Sequence, residues 1–108
     1  MNNQIYHVFW TQTAQQDLKR IIDYIAADSE DRAKNNYRAI RQKAADLQSM
    51  PQRGRIVPEL KYFSILTYRE LISPPRRIIY KLENDRVWVL AVIDGGRNFE
   101  DILLDRFI

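Results

Sequence analysis

The chain has no cysteine, a single histidine, three glycines and no long apolar run in its 108 residues. Without cysteine, neither a disulfide framework nor a thiolate metal site is possible, which suits a reducing cytoplasm. No run approaches the roughly 20 apolar residues that a membrane span requires. The first residues, Met-Asn-Asn-Gln-Ile-Tyr, lack the basic and apolar regions of a signal peptide. A strong charge imbalance is missing too: 17 basic and 14 acidic residues leave +3. That permits contact with nucleic acid or an acidic protein segment but decides neither. What is present is a hydrophobic fraction of 45%, normal for a globular protein. No repeat, low-complexity tract or linker interrupts it, so residues 1–108 are expected to form one domain.

Periodicity orders the elements. Ile5 to Trp10 alternates, with Tyr6, Val8 and Trp10 on one face and Ile5 and Phe9 on the other, and predicts a strand. Thr11 or Thr13 then caps a helix, and Thr13 with Gln16 fits a capping box. Ala14, Leu18, Ile21, Ile22 and Ile25 supply its apolar face. Asp28-Ser29-Glu30-Asp31 starts a second helix, whose seam of Ala33, Tyr37, Ile40, Ala44 and Leu47 suits an antiparallel hairpin. Pro51 stops it near Met50. Residues 52–58 read as an irregular connection, followed by a strand over Phe63 to Ile72. Ser73-Pro74-Pro75 is a turn, since proline has no ladder donor. Strands follow at Arg76 to Leu82 and Val87 to Ile93, joined by a tight turn at Asn84-Asp85. Gly95-Gly96 ends the last strand. Asn98 is placed to cap a final helix with Phe99, Ile102, Leu103 and Phe107 inward. The layout is β-α-α-β-β-β-α, an α+β fold with a mostly antiparallel sheet packed on an N-terminal helical hairpin.

Basic residues crowd the segment from Arg53 to Arg86, where eight lysines and arginines face four carboxylates. This is either a partner-binding face or a solvated sheet surface. Glu70 is expected to pair across strands with Arg77 or Arg69. Glu100, Asp101 and Asp105 cluster near the end, but Arg97 and Asp101 read as an i,i+4 ion pair rather than part of a metal site. Tyr24, Tyr37 and Trp88 are expected in the core. Arginines beside Tyr62, Tyr68 and Tyr80 would line a groove for RNA or for an acidic protein tail. No cofactor or metal is expected.

The order of elements and the residues at their joints resemble the RelE/ParE toxins of bacterial type II toxin–antitoxin systems. The resemblance runs through Trp10, Ala14, Asp17-Leu18, Gly54-Arg55, Val57-Pro58-Glu59, Arg69-Glu70-Leu71, Arg77-Ile78-Ile79-Tyr80, Val92-Ile93, Gly95, Arg97 and Glu100-Asp101. It is closest to the ParE branch. RelE-type members are ribosome-dependent endoribonucleases that cut messenger RNA. ParE-type members bind and trap DNA gyrase. Both are neutralised by an antitoxin whose C-terminal segment wraps the toxin.

The chemistry separates the two branches. Metal-free RNA cleavage needs a base, an acid and cations for the charge that develops on phosphate. The match to RelE retains two cations, Arg77 and Arg97, with Glu70 as the available base. The RelE lysines fall near Tyr68 and Glu70, its C-terminal tyrosine falls at Leu103, and the chain ends in Arg106-Phe107-Ile108 rather than His-Tyr. No motif brings His7 to these arginines. The resemblance therefore implies a cytoplasmic gyrase inhibitor without turnover, in a hetero-oligomer with its antitoxin. A messenger RNA endonuclease acting at the ribosome and a non-toxic antitoxin-binding relative are the alternatives. The target-binding candidates are Arg69, Arg77, Tyr80, Asp94 and Arg97. Asp94 and Gly96 depart from the histidine and basic residue that many ParE-like chains carry. The antitoxin-binding candidates are Tyr37, Arg41, Arg53, Arg55, Leu60 and Tyr62, with an antitoxin strand added to an open sheet edge.

Overall fold

In the computed structural model, which describes residues 5–96 and 98–108, an α+β chain runs through five strands and four helices. Strand β1 (His7–Trp10) leads into helices α1 (Gln12–Ala26) and α2 (Glu30–Ala45), followed by one 3-10 turn at Asp46–Gln48. Strand β2 (Arg55–Ile56) and helix α3 (Pro58–Lys61) come next. Strands β3 (Tyr68–Ser73), β4 (Arg76–Glu83) and β5 (Arg86–Asp94) form a meander, and helix α4 (Phe99–Phe107) ends the fold. The sheet order is β1-β5-β4-β3-β2. Only the β1–β5 pair is parallel; the other three are antiparallel. Among the described residues, no helix is long and apolar enough to cross a membrane.

Local chemistry explains the element starts. Thr11, rather than Thr13, caps α1: its hydroxyl accepts from the Ala14 amide at 3.1 Å. The Thr11 amide also donates to the Val89 carbonyl at 3.0 Å, so the cap fastens α1 to the central strand. Thr13 lies inside the helix, which is why no box with Gln16 forms. Ser29 caps α2 by accepting from the Arg32 amide, and Glu30 and Asp31 occupy the positive end of the helix dipole.

The segment read as an irregular connection contains β2 and α3. Pro58 opens α3, where its missing amide costs nothing. The strand expected from Phe63 begins only at Tyr68. Ser64, at φ 63°, and the Ile65 amide donating to Leu60 at 3.0 Å close α3 and turn the chain. Ile65 then packs inward instead of alternating along a strand.

Two apolar cores use opposite faces of the sheet. Ala14 and Leu18 of α1 and Ile40, Ala44 and Leu47 of the α2 region pack on Ile78, Tyr80, Val87 and Val89. On the other face, Val57 and Leu60 join Phe99 and Leu103 over Ile79, Ala91 and Ile93. This double cover is why β5 is apolar on both sides. The tyrosine expectations divide: Tyr24 is 81% exposed and Tyr37 45% exposed. Both lie at the rim, where their rings leave the hairpin seam. Trp88 is half-buried and stacks on Phe9 at 5.0 Å.

Candidate functional site

The face that carries the second core also carries a chain of charges. Arg55 lies directly opposite Glu70, and Arg77 stands diagonally across from Glu70 on β4. Arg55 Nε donates to Glu70 Oε2 at 2.7 Å and Arg77 Nε to Glu70 Oε1 at 2.7 Å. Both terminal nitrogens of Arg77 donate to Glu59 at 2.9 Å, a two-pronged pair. Its guanidinium carbon lies 3.8 Å from the Phe99 ring centroid, so one flat face is also occupied. The Glu70 side chain is 0% exposed and that of Arg77 12%. Burial pulls the Arg77 pKa down, but its bonds to Glu59 and Glu70 outweigh this and raise it. Glu59 is held below the ordinary carboxylate value, chiefly by its bond to Arg77. The pairing expected for Glu70 is thus made with Arg77 but not with Arg69, which donates instead to the Gly54 carbonyl at 2.8 Å.

Tyr80, expected on a target-gripping face, lies in the interior at 0% exposure. Its hydroxyl donates to the Pro51 carbonyl at 2.7 Å and accepts from the Gly54 amide at 2.9 Å. A Cβ on Gly54 would stand 2.5 Å from the Glu70 carbonyl oxygen and 2.7 Å from the Tyr80 hydroxyl, so only glycine fits. Tyr80 and Arg69 together hold the loop before β2 against the sheet. Among the described residues, no groove of these arginines and tyrosines forms: Tyr80 is buried, Tyr68 packs on Phe107 at 4.8 Å, and Tyr62 stands exposed.

Asp94 is exposed at the end of β5, opposite Arg76. Arg97, and with it the Arg97–Asp101 pair, lies outside the described residues. His7 pairs with Arg86 at the start of β5, whereas Arg77 pairs with Ile93 near its end, so a strand's length separates them. Leu103 is fully buried in the second core. Asn98 holds the N-cap position of α4 at φ 71°, without a side-chain capping bond. Among the described residues, no group of three histidine or carboxylate side chains is placed to hold a metal ion.

The family model for the ParE toxin of the type II toxin–antitoxin system, parDE, matches residues 8–99. The chain belongs to the ParE toxin family. A solved chain from the chromosomal ParDE toxin–antitoxin system of P. aeruginosa has the same fold at 18% sequence identity. The alignment covers 86% of this chain and 99% of that one, with a TM-score of 0.71. No curated protein sequence matches this chain.

Within this ParE-family fold, the antitoxin-binding candidates separate into two groups. Tyr37 and Arg41 lie on α2 beside β1, with the Arg41 guanidinium 4.7 Å from the Trp10 ring centroid. Arg53, Arg55 and Tyr62 lie around β2 and α3, at the opposite edge of the sheet. Leu60 is a core residue with no exposure, because α3 turns it under the sheet. Sequence reasoning missed the part played by Glu59 as the second partner of Arg77, although Pro58-Glu59 carries the signal of a helix start. It also missed Asp17. That carboxylate, 2% exposed, accepts from both terminal nitrogens of Arg106 at 2.6 and 2.8 Å and from the Val92 amide at 3.1 Å. β1 stops short of Val92, and Asp17 satisfies the amide left over.

Proposed function

We propose that this chain is a growth-arresting toxin that acts in the cytoplasm by binding DNA gyrase, without catalytic turnover, and is held inactive by a cognate antitoxin. One observation carries the non-catalytic part: Arg77 is shared between Glu59 and Glu70. To grip a phosphate it would have to leave both carboxylates, leaving the buried Glu70 with Arg55 as its one remaining ion-pair partner. Losing one partner of a buried ion pair costs about 3–5 kcal/mol. Glu70 is equally committed: both its oxygens accept from arginines and its side chain is 0% exposed.

The ribosome-dependent endonuclease reading needs Arg77 free, and its bonds to Glu59 and Glu70 weigh against that. The target-gripping surface then rests on exposed groups such as Asp94 and on Arg97. The test adds purified protein to gyrase supercoiling and cleavage assays. Inhibition with accumulation of cleaved DNA complex at micromolar protein is expected; the absence of both effects would overturn the gyrase assignment. In a translating extract, messenger RNA stays intact, and cleavage abolished by Arg97→Ala would restore the nuclease. Induction of the chain alone stops growth, whereas normal growth with folded protein would mark a non-toxic antitoxin-binding relative.

A further inference from the structure

We infer that the open end of the sheet's second face, where Phe9 and Trp88 stack, takes the bases of a single-stranded nucleic acid. The inference stands on this surface alone and goes beyond the gyrase reading. Alternation sets the face. Val87 and Val89 point into the hairpin core, so Trp88 between them points to the other side. Phe9 lies opposite Trp88 on β1, and Lys81 lies opposite it on β4. Arg86, two residues before Trp88, shares that side.

α4 covers the other end of this face. Its apolar side packs on Ile79, Ala91 and Ile93, and Phe107 meets Tyr68 at 4.8 Å. Phe9 is left 40% exposed and Trp88 half-buried. Their ring centroids are 5.0 Å apart and their planes 29° apart. Neither ring belongs to either apolar core, so the pair is not there to close one.

Charge selects the occupant. The exposed Arg86 holds its guanidinium 5.9 Å from the Phe9 ring centroid. Glu83, opposite Arg86 in register, bridges to Lys81 at 3.2 Å instead. Asp85, the other carboxylate close in sequence, lies in the turn before Arg86. Flat aromatic rings stack on bases whatever their sequence, and an arginine beside them meets the phosphates. A duplex keeps its bases stacked on each other and offers these rings nothing. A second copy laid face to face would bring two Arg86 side chains together, a like-charge meeting that costs affinity. The net charge of +3 also favours a polyanion.

The experiment uses the full chain carrying Trp10→Phe, which leaves Trp88 as its one tryptophan. The probe is an oligothymidylate of about 10 nucleotides, within the length that one small domain covers. Binding is read by anisotropy of the labelled probe and by Trp88 fluorescence with the unlabelled one. The single strand is expected to quench Trp88 and to bind about 10-fold more tightly than a duplex of equal length. Phe9→Ala is expected to weaken binding about 10-fold, and Phe9→Tyr to keep it. Arg86→Ala is expected to weaken binding and to lower its salt dependence by about one phosphate contact. No binding, equal binding of the duplex, or binding that Phe9→Ala leaves unchanged overturns the inference. Polyglutamate that quenches Trp88 as the oligonucleotide does also overturns it, and marks the face as a protein-docking surface. Should Phe9→Ala misfold, Trp88 quenching and Arg86→Ala decide. Gyrase inhibition is read in its own assay, so failure here leaves that reading intact.

Discussion

At the scale of the residue, the chain spends its polar side chains on holding its own backbone. Tyr80 satisfies one donor and one acceptor in the loop from Pro51 to Gly54. Removing its hydroxyl strands both, and Tyr80→Phe is expected to lower stability by about 1–3 kcal/mol in urea denaturation. Gly54→Ala, which drives a methyl into the Glu70 carbonyl, is expected to cost at least as much. Glu59 gives a pH signature. Its pKa is lowered in the folded state, principally by Arg77, so its stabilising contribution is complete above the ordinary value of 4.5 and is lost as pH falls through the folded value. Thermal melts should therefore show a fall in Tm on acidification below that range, and Glu59→Gln should flatten it. An unchanged acid profile in the variant would remove Glu59 from this role.

At the scale of the element, α4 is fixed by two unlike contacts. Phe99 and Leu103 bury its apolar side in the second core. Arg106 reaches the Asp17 carboxylate on α1, which packs on the other face. The hydrogen bond to Asp17 raises the Arg106 pKa above its ordinary value. Arg106→Ala leaves Asp17 buried with the Val92 amide and a longer 3.6 Å contact to the exposed Arg20. Such losses cost about 3–5 kcal/mol, and the lower end is expected because Arg106 keeps 27% exposure. Denaturation midpoints of the variant check it, with faster amide exchange through α4 as the local sign. If α4 exchanges no faster, Arg106 does not anchor the helix.

At the scale of the whole molecule, the two cores share β4 and β5, so neither can melt and leave the other its floor. Unfolding should be one transition, with tryptophan fluorescence from Trp10 and Trp88 coinciding with far-UV circular dichroism. Separate transitions would show the cores to be independent. The same sharing sets His7 apart at the β1 edge, away from Arg77 by the length of β5. His7→Ala is therefore expected to arrest growth as fully as the wild type when induced without antitoxin. Loss of arrest with folded protein would give His7 a role in toxicity.

The sequence by itself determined the element order, the apolar faces and the family, because each depends on spacing within short windows. Alternation in Tyr6, Val8 and Trp10, helical spacing from Ala14 to Ile25, and the Pro74-Pro75 and Asn84-Asp85 turns are all local facts. The extra pieces at β2 and α3 were less legible, since a two-residue strand and a four-residue helix carry almost no periodicity. Only the tertiary structure decided what the charged and aromatic residues do. Arg77 was legible as a partner of Glu70, 7 positions away, but its second carboxylate, Glu59, lies 18 positions away on a helix that the sequence did not show. Tyr80 reads as a surface candidate and is a buried strut. Phe9 and Trp88 look like two more strand aromatics until the pairing of β1 with β5 stacks them on one open face. Pairing and burial depend on which distant residues share a face, and no local pattern encodes that.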